Sequence, residues 1–152
     1  MFNSNKHHKG SYKPKNKHKY VGAIDKVNYR SHWELLVMRY LDLNPDVKYW
    51  SSEETVVMYN DTTTNEIRQY FIDFTIKYHN GKVLLVEVKP SKQTVLPKQT
   101  KGKSKVTYLT EALAFQKNKA KWLAADKYAK ENNAQFVIWT EIYLKKLGIA
   151  IL

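Results

Sequence analysis

The spacing of apolar positions changes several times along the chain, and each change predicts an element. In "YRSHWELLVMRYLDLNP", Trp33, Leu36, Val37, Tyr40 and Leu41 recur at helical intervals. Ser31 is placed to cap this helix. Asn44 and Pro45 end it, because a residue ahead of proline is pushed out of helical geometry. "VKYW" (47–50) and "ETVVMY" (54–59) read as short strands, followed by the turn "NDTTTNE". In "IRQYFIDFTIKYH" the period is two. Tyr70, Ile72, Phe74, Ile76 and Tyr78 share one face of a strand, and Phe71, Asp73, Thr75 and Lys77 share the other.

Asn80-Gly81 is the strongest hairpin signal in the chain, and it leads into "VLLVEVK". That run is almost continuously apolar, which predicts a central strand covered on both faces. Residues 90–106 hold two prolines, five lysines and no acid, and read as a long loop of the kind that carries function. A helix is predicted from Thr107 to Asn132, with Leu109, Leu113, Ala120, Leu123 and Ala124 as its apolar stripe. "QFVIWTE" is a last strand, and "IYLKKLGIAIL" closes the chain as a short helix or extended tail. No internal repeat is present. The strands before and after the long helix can pair in parallel through a right-handed crossover. The expected fold is α/β (α+β), a mixed sheet with helices against it.

Composition adds a partner. At 152 residues, with 43% hydrophobic and 13% aromatic content, the chain can bury the core of one domain. Its net charge of +12 draws polyanions, nucleic acid first and an acidic membrane surface second. Residues 1–20 hold six lysines, three histidines and no acid in an aperiodic polar sequence. This reads as a basic, flexible arm over 1–19, ahead of a single domain over 20–152. The arm offers Lys6, Lys9, Lys13, Lys15, Lys17 and Lys19 to a polyanion, and the loop offers Lys98, Lys101, Lys103 and Lys105. The bland alternative for the arm is a solvated tail. The chain has no cysteine, which excludes disulfides and thiolate zinc sites. It shows no secretory h-region and no run near the roughly 18 apolar residues of a membrane span. A soluble, intracellular-type protein is expected.

Charged residues inside apolar strands need partners. Asp73 and Glu87 lie on the two strands joined by the Asn-Gly turn, so the two carboxylates can come close. Glu87 and Lys89 are two apart and share a face. Neighbouring carboxylates repel unless a cation stands between them, and a divalent metal such as Mg²⁺ meets that need with oxygen ligands and waters. Acid, acid and lysine on one face of a basic protein point to metal-assisted phosphodiester hydrolysis. A cross-strand salt bridge on a solvent-facing sheet is the competing reading. Glu34 is a third candidate, but Ser31-x-x-Glu34 is also a capping box, and spacing alone favours the cap. His32 and His79 flank these segments and read as incidental.

At these residues a resemblance appears. "DFTIKYHNGKVLLVEVK" resembles the PD-(D/E)xK nuclease motif, an Asp, a hairpin and then Glu-x-Lys, usually completed by a Glu on an upstream helix. From about residue 20 to 142 the chain is similar to the N-terminal catalytic domain of Tn7-type transposon endonucleases. It is more similar still, in length, basic N-terminus and the segments "WSSEE" and "EVKP", to the head-completion nucleases of large tailed bacteriophages. The resemblance implies a restriction-endonuclease-like fold, Mg²⁺ or Mn²⁺ as cofactor and DNA as substrate. It implies Asp73 and Glu87 as metal ligands, the Val88 carbonyl as a further one, Glu34 in support from its helix, and Lys89 on the attacking water. It turns the balance on Glu34 toward the site, where the side chain can cap and coordinate in turn. Some members of this class add a Gln or Lys on the following helix. Gln116, Lys119 and Lys121 are candidates, each with solvated helix as the plainer reading, and Gln116 lies nearest the predicted stripe.

The expected function is therefore a Mg²⁺-dependent endonuclease acting on DNA during phage head completion, in the host cytoplasm and the virion, with head or portal proteins as possible partners. A non-catalytic basic virion protein holding packaged DNA is the main rival. A transposon-end nicking subunit ranks third, since it normally needs a further domain for its partners.

Overall fold

A computed structural model describes residues 9–151. Its first helix, α1 (His32–Leu43), begins where expected, with Ser31 Oγ accepting from the Glu34 N–H. Strands β3 (Val47–Ser52), β6 (Phe74–Tyr78), β7 (Val83–Val88) and β8 (Gln135–Trp139) form the main sheet, in the order β3-β6-β7-β8. β6 and β7 are the antiparallel hairpin of the Asn-Gly turn, with Gly81 in the left-handed region at φ +89°. β7 and β8 pair in parallel across the long helix α2 (Lys105–Glu131), as the crossover requires. β7 is buried along Leu84–Glu87 and sits between two cores. On one side Leu84 and Val86 join Val37, Met38 and Leu41 of α1, Trp50, and Leu144 of the short α3 (Glu141–Lys146). On the other, Leu85 joins Ala125 and Ala129 of α2. This mixed sheet flanked by helices is a restriction-endonuclease-like fold. No helix among the described residues is long and apolar enough to cross a membrane.

The run read as one long strand is two. β5 (Glu66–Phe71) leaves the main sheet to pair with β4 (Val56–Asp61) as a separate two-stranded ribbon. The break falls at Ile72-Asp73, held by the Ile72 N–H on Thr55 O and by the Glu53 N–H directed at the carbonyls of both Ile72 and Asp73. Alternating burial survives the break, but the faces exchange: Tyr70 and Ile72 enter the α2 core, Phe74 and Ile76 the α1 core.

Two further expectations are corrected. α2 packs through small residues toward its C-terminal end, Ala120 and Ala124 of the predicted stripe together with Ala125 and Ala129, while Leu109, Leu113 and Leu123 of that stripe are exposed. A helix of this length spans roughly 40 Å at ~1.5 Å per residue, so its first half overhangs the sheet. The basic segment is packed from Gly10 onward. β1 (Gly10–Ser11) pairs with β2 (Asn28–Tyr29), and the chain then runs along α1 to its C-terminal end. There the buried Asp42 carboxylate accepts from Tyr12 Oη and from the N–H groups of Lys15 and Asn16. Lys19 Nζ donates to the carbonyls of Leu41, Asp42 and Asn44, a buried cation on the carbonyl end of the helix.

Candidate active site

The hairpin register brings Glu87 of β7 together with Asp73, which immediately precedes β6. Phe74 pairs with Val86, so Asp73, one residue earlier, comes opposite Glu87. Asp73 Oδ2 accepts from the Val88 N–H at 2.8 Å. Glu87, 6% exposed, shares the α2 side of β7 with Leu85. Its carboxylate is held on both oxygens: Tyr70 Oη donates to Oε2 at 2.5 Å, and Lys89 Nζ stands 3.3 Å from Oε1. The Lys89 N–H donates to Trp139 O, and the Ser91 N–H donates to the Glu141 carboxylate. The chain leaving β7 is thus tied to β8 and α3.

Glu34 faces this pair from the first turn of α1. The Ser31 hydroxyl donates to Glu34 Oε2 at 2.9 Å while accepting from the Glu34 N–H, so the residue serves the cap and borders the site at once. Burial raises the Glu34 pKa, and Glu87 adds to the rise. Asp73 is pushed well above the ordinary carboxylate range, first by burial, then by the negative charges of Glu87 and Glu34; the Val88 N–H and Lys89 pull it back. The three acids therefore feel one another across a cavity of about 400 Å³.

Two cations outside the motif line that cavity. Lys121 reaches in from α2, its Nζ 5.5 Å from the centre of the Tyr70 ring and 5.7 Å from that of Tyr59. Burial lowers its pKa, while Glu87 and Asp73 hold it up. Arg30, just ahead of the α1 cap, is paired with Glu53, which also lines the cavity and sits in the left-handed region at φ +56°.

Among the described residues, no three acidic or histidine side chains form a ready metal cluster. The carboxylates that could hold a metal here are Asp73 and Glu87, with Glu34 and Val88 lining the same cavity. Hard oxygen donors of this number suit Mg²⁺ or Mn²⁺, which keep several waters.

The other sequence candidates fall into groups. Lys9, Lys13, Lys15 and Lys17 are exposed, and Lys6 lies outside the described residues. Lys19 is a correction: its ammonium is buried against the end of α1 and faces no phosphate. Lys98 and Lys101 are exposed on the loop, and Lys105 opens α2. Lys103 is half-buried, paired with Glu111 at 2.9 Å. Gln116 is a second correction: it is exposed and does not line the cavity, because it precedes the part of α2 that packs on the sheet from Ala120 onward. Lys121, for which solvated helix was the plainer reading, lines the cavity, and Lys119 is exposed. Tyr70 was not singled out from the sequence. The available signal was a tyrosine on the buried face of its strand, whose hydroxyl must find a partner.

Residues 44–141 match the family described as TnsA-like endonuclease N terminal. The head completion nuclease of Enterobacteria phage T4 is 35% identical over 142 residues, spanning 91% of this chain and 95% of that protein. Both matches take in Asp73, Glu87 and Lys89 with the sheet that positions them. The chain belongs to the TnsA-like N-terminal endonuclease family, and is a nuclease related to the phage head-completion enzyme.

Proposed function

We propose that this chain is a DNA endonuclease of the PD-(D/E)xK type that depends on Mg²⁺ or Mn²⁺ and cuts DNA during completion of a phage head. The observation that carries the proposal is the convergence of Asp73, Glu87 and Lys89 on one polar cavity, with Glu34 at its rim. A protein that only held DNA would gain nothing from buried carboxylates beside a phosphate, since like charges repel. The place in head assembly, in host cytoplasm and virion and alongside head or portal proteins, rests on the name of the phage relative.

A bound divalent ion supplies a Lewis acid for the scissile phosphate and a water of lowered pKa. Asp73, Glu87 and the Val88 carbonyl are its oxygen donors, and Glu34 supports the site from α1. Lys89 orients the attacking water and neutralises charge that builds on the phosphate, leaving its pairing with Glu87 to do so. Lys121 and Arg30, on two other walls, face the phosphates on either side. The exposed lysines of residues 9–17 and 98–105 grip the backbone without reading base sequence.

The test is nicking of supercoiled plasmid by the wild type and by Asp73→Ala, with Mg²⁺, with Mn²⁺ and with EDTA. Nicking by the wild type alone, in either metal and not in EDTA, is expected. If both proteins bind DNA equally and neither cuts, a basic virion protein that holds packaged DNA replaces this reading.

A further inference from the structure

Tyr70 is 4% exposed and belongs to β5, which is not part of the sheet that carries Glu87. Packing alone would be served by phenylalanine. The hydroxyl instead donates to Glu87 Oε2 at 2.5 Å across 17 residues of sequence. The ring behind it is fixed: Tyr70 pairs with Val57 on β4, and its ring meets that of Tyr59 edge-on with centroids 6.5 Å apart. The two partners of the Glu87 carboxylate thus differ in kind. Lys89 is a long side chain, 21% exposed, that can swing away from Oε1. Tyr70 is a short rigid donor that cannot leave Oε2 without opening the α2 core. Nothing in the motif Asp, hairpin, Glu-x-Lys calls for it.

We infer that Tyr70 is a positioning residue for the divalent ion: its hydroxyl pins Glu87 Oε2 and so turns the other oxygen toward the position shared with Asp73. This rests on the metal-dependent reading above. When Lys89 moves to the water, Glu87 stays aimed because Tyr70 holds it. Without the hydroxyl, the carboxylate is free to rotate toward Lys89 or Lys121, both already within its electrostatic reach. Groups that hydrogen-bond a metal-binding side chain from behind typically change metal affinity by about 10–100-fold when removed.

The test uses Tyr70→Phe in the full chain, with Mn²⁺ binding measured directly, without DNA, by electron paramagnetic resonance of the free ion. Affinity is expected to fall about tenfold or more. The Mn²⁺ midpoint of plasmid nicking should shift in the same direction, and the rate at saturating Mn²⁺ should recover most of the wild-type value. Tyr59→Phe removes a neighbouring hydroxyl from the same ring pair and should leave Mn²⁺ affinity unchanged. Affinity of Tyr70→Phe within twofold of wild type, or an equal loss in Tyr59→Phe, overturns the inference and leaves the nuclease reading standing. A wild type that binds no Mn²⁺ overturns both. If Tyr70→Phe does not fold, wild-type protein labelled at the tyrosine Cζ serves: addition of Mg²⁺ should move the Tyr70 resonance, and an unmoved resonance overturns the inference.

Discussion

Lys89 Nζ stands 3.3 Å from Glu87 Oε1, two residues along the same chain direction and on the same side of the sheet. The pair explains how an apolar central strand tolerates a buried carboxylate, and it places a long-chain cation beside Glu87 in the cavity that Asp73 also lines. Lys89→Ala is expected to lower nicking by at least about 100-fold, the usual scale for losing a group that assists proton transfer. DNA affinity, measured by fluorescence anisotropy, should fall by no more than one phosphate contact is worth. Normal cutting by the variant would remove Lys89 from the chemistry.

Asp73 is expected to cost the metal-free protein stability at neutral pH. Its native pKa is raised by burial and by Glu87 and Glu34, so the native state holds the proton more tightly than the unfolded chain does. Stability from this group is complete below the unfolded carboxylate value and is lost as pH rises through the raised native value. Asn keeps an oxygen for the Val88 N–H and does not titrate. Asp73→Asn should therefore melt higher than wild type in EDTA at neutral pH, by about 0.5–2 kcal/mol. The gap should close as pH falls below the native Asp73 value. Thermal melts across pH 4 to 8 in EDTA check both, and a variant no more stable than wild type at neutral pH contradicts the strain on Asp73.

Lys19 and its neighbours Lys13, Lys15 and Lys17 separate structure from binding. Lys19→Met removes a donor from three carbonyls at the end of α1; Asp42 O keeps Asn16 Nδ2 and Asn44 O keeps the Val47 N–H, so the expected cost in urea unfolding is about 1–3 kcal/mol, chiefly from Leu41 O. It should not change the slope of log DNA affinity against log salt. Replacing Lys13, Lys15 and Lys17 together by alanine should do the reverse, lowering that slope with little change in stability.

The loop before α2 gives a graded version of the same measurement. Lys98 and Lys101 are exposed, whereas Lys103 is engaged with Glu111 and the Lys98 carbonyl. Each phosphate contact contributes about 0.9 to the salt slope on duplex DNA. Lys98→Ala and Lys101→Ala should each lower it by up to that amount, and Lys103→Ala by less. Equal effects from all three would mean that Lys103 leaves Glu111 when DNA binds.

Much of the candidate site was legible because its spacing is local. The Asn-Gly turn sets the hairpin register, and the register sets Asp73 opposite Glu87. The two-residue period sets Lys89 on the side of Glu87, and Ser31-x-x-Glu34 sets the start of α1. Each of these follows from backbone geometry within a few residues of chain, which the order of residues by itself determines.

What only the tertiary structure decided depends on contacts between distant segments. The break at Ile72-Asp73 arises because β5 pairs with β4 and not with the main sheet; alternating apolar residues look the same in either case. Of the stripe predicted on α2, Ala120 and Ala124 pack on the core, whereas Leu109 and Leu113 lie where the helix overhangs the sheet and Leu123 is exposed; how far a helix extends past its sheet is not recorded in its period. Lys19 looked like its neighbours until the end of α1, more than 20 residues away, provided carbonyls for it. Tyr70 and Lys121 came to the site in the same way, from a ribbon and a helix that carry no part of the motif. Periodicity records which way a side chain points relative to its own backbone; which partner it meets there is fixed by packing of the whole chain.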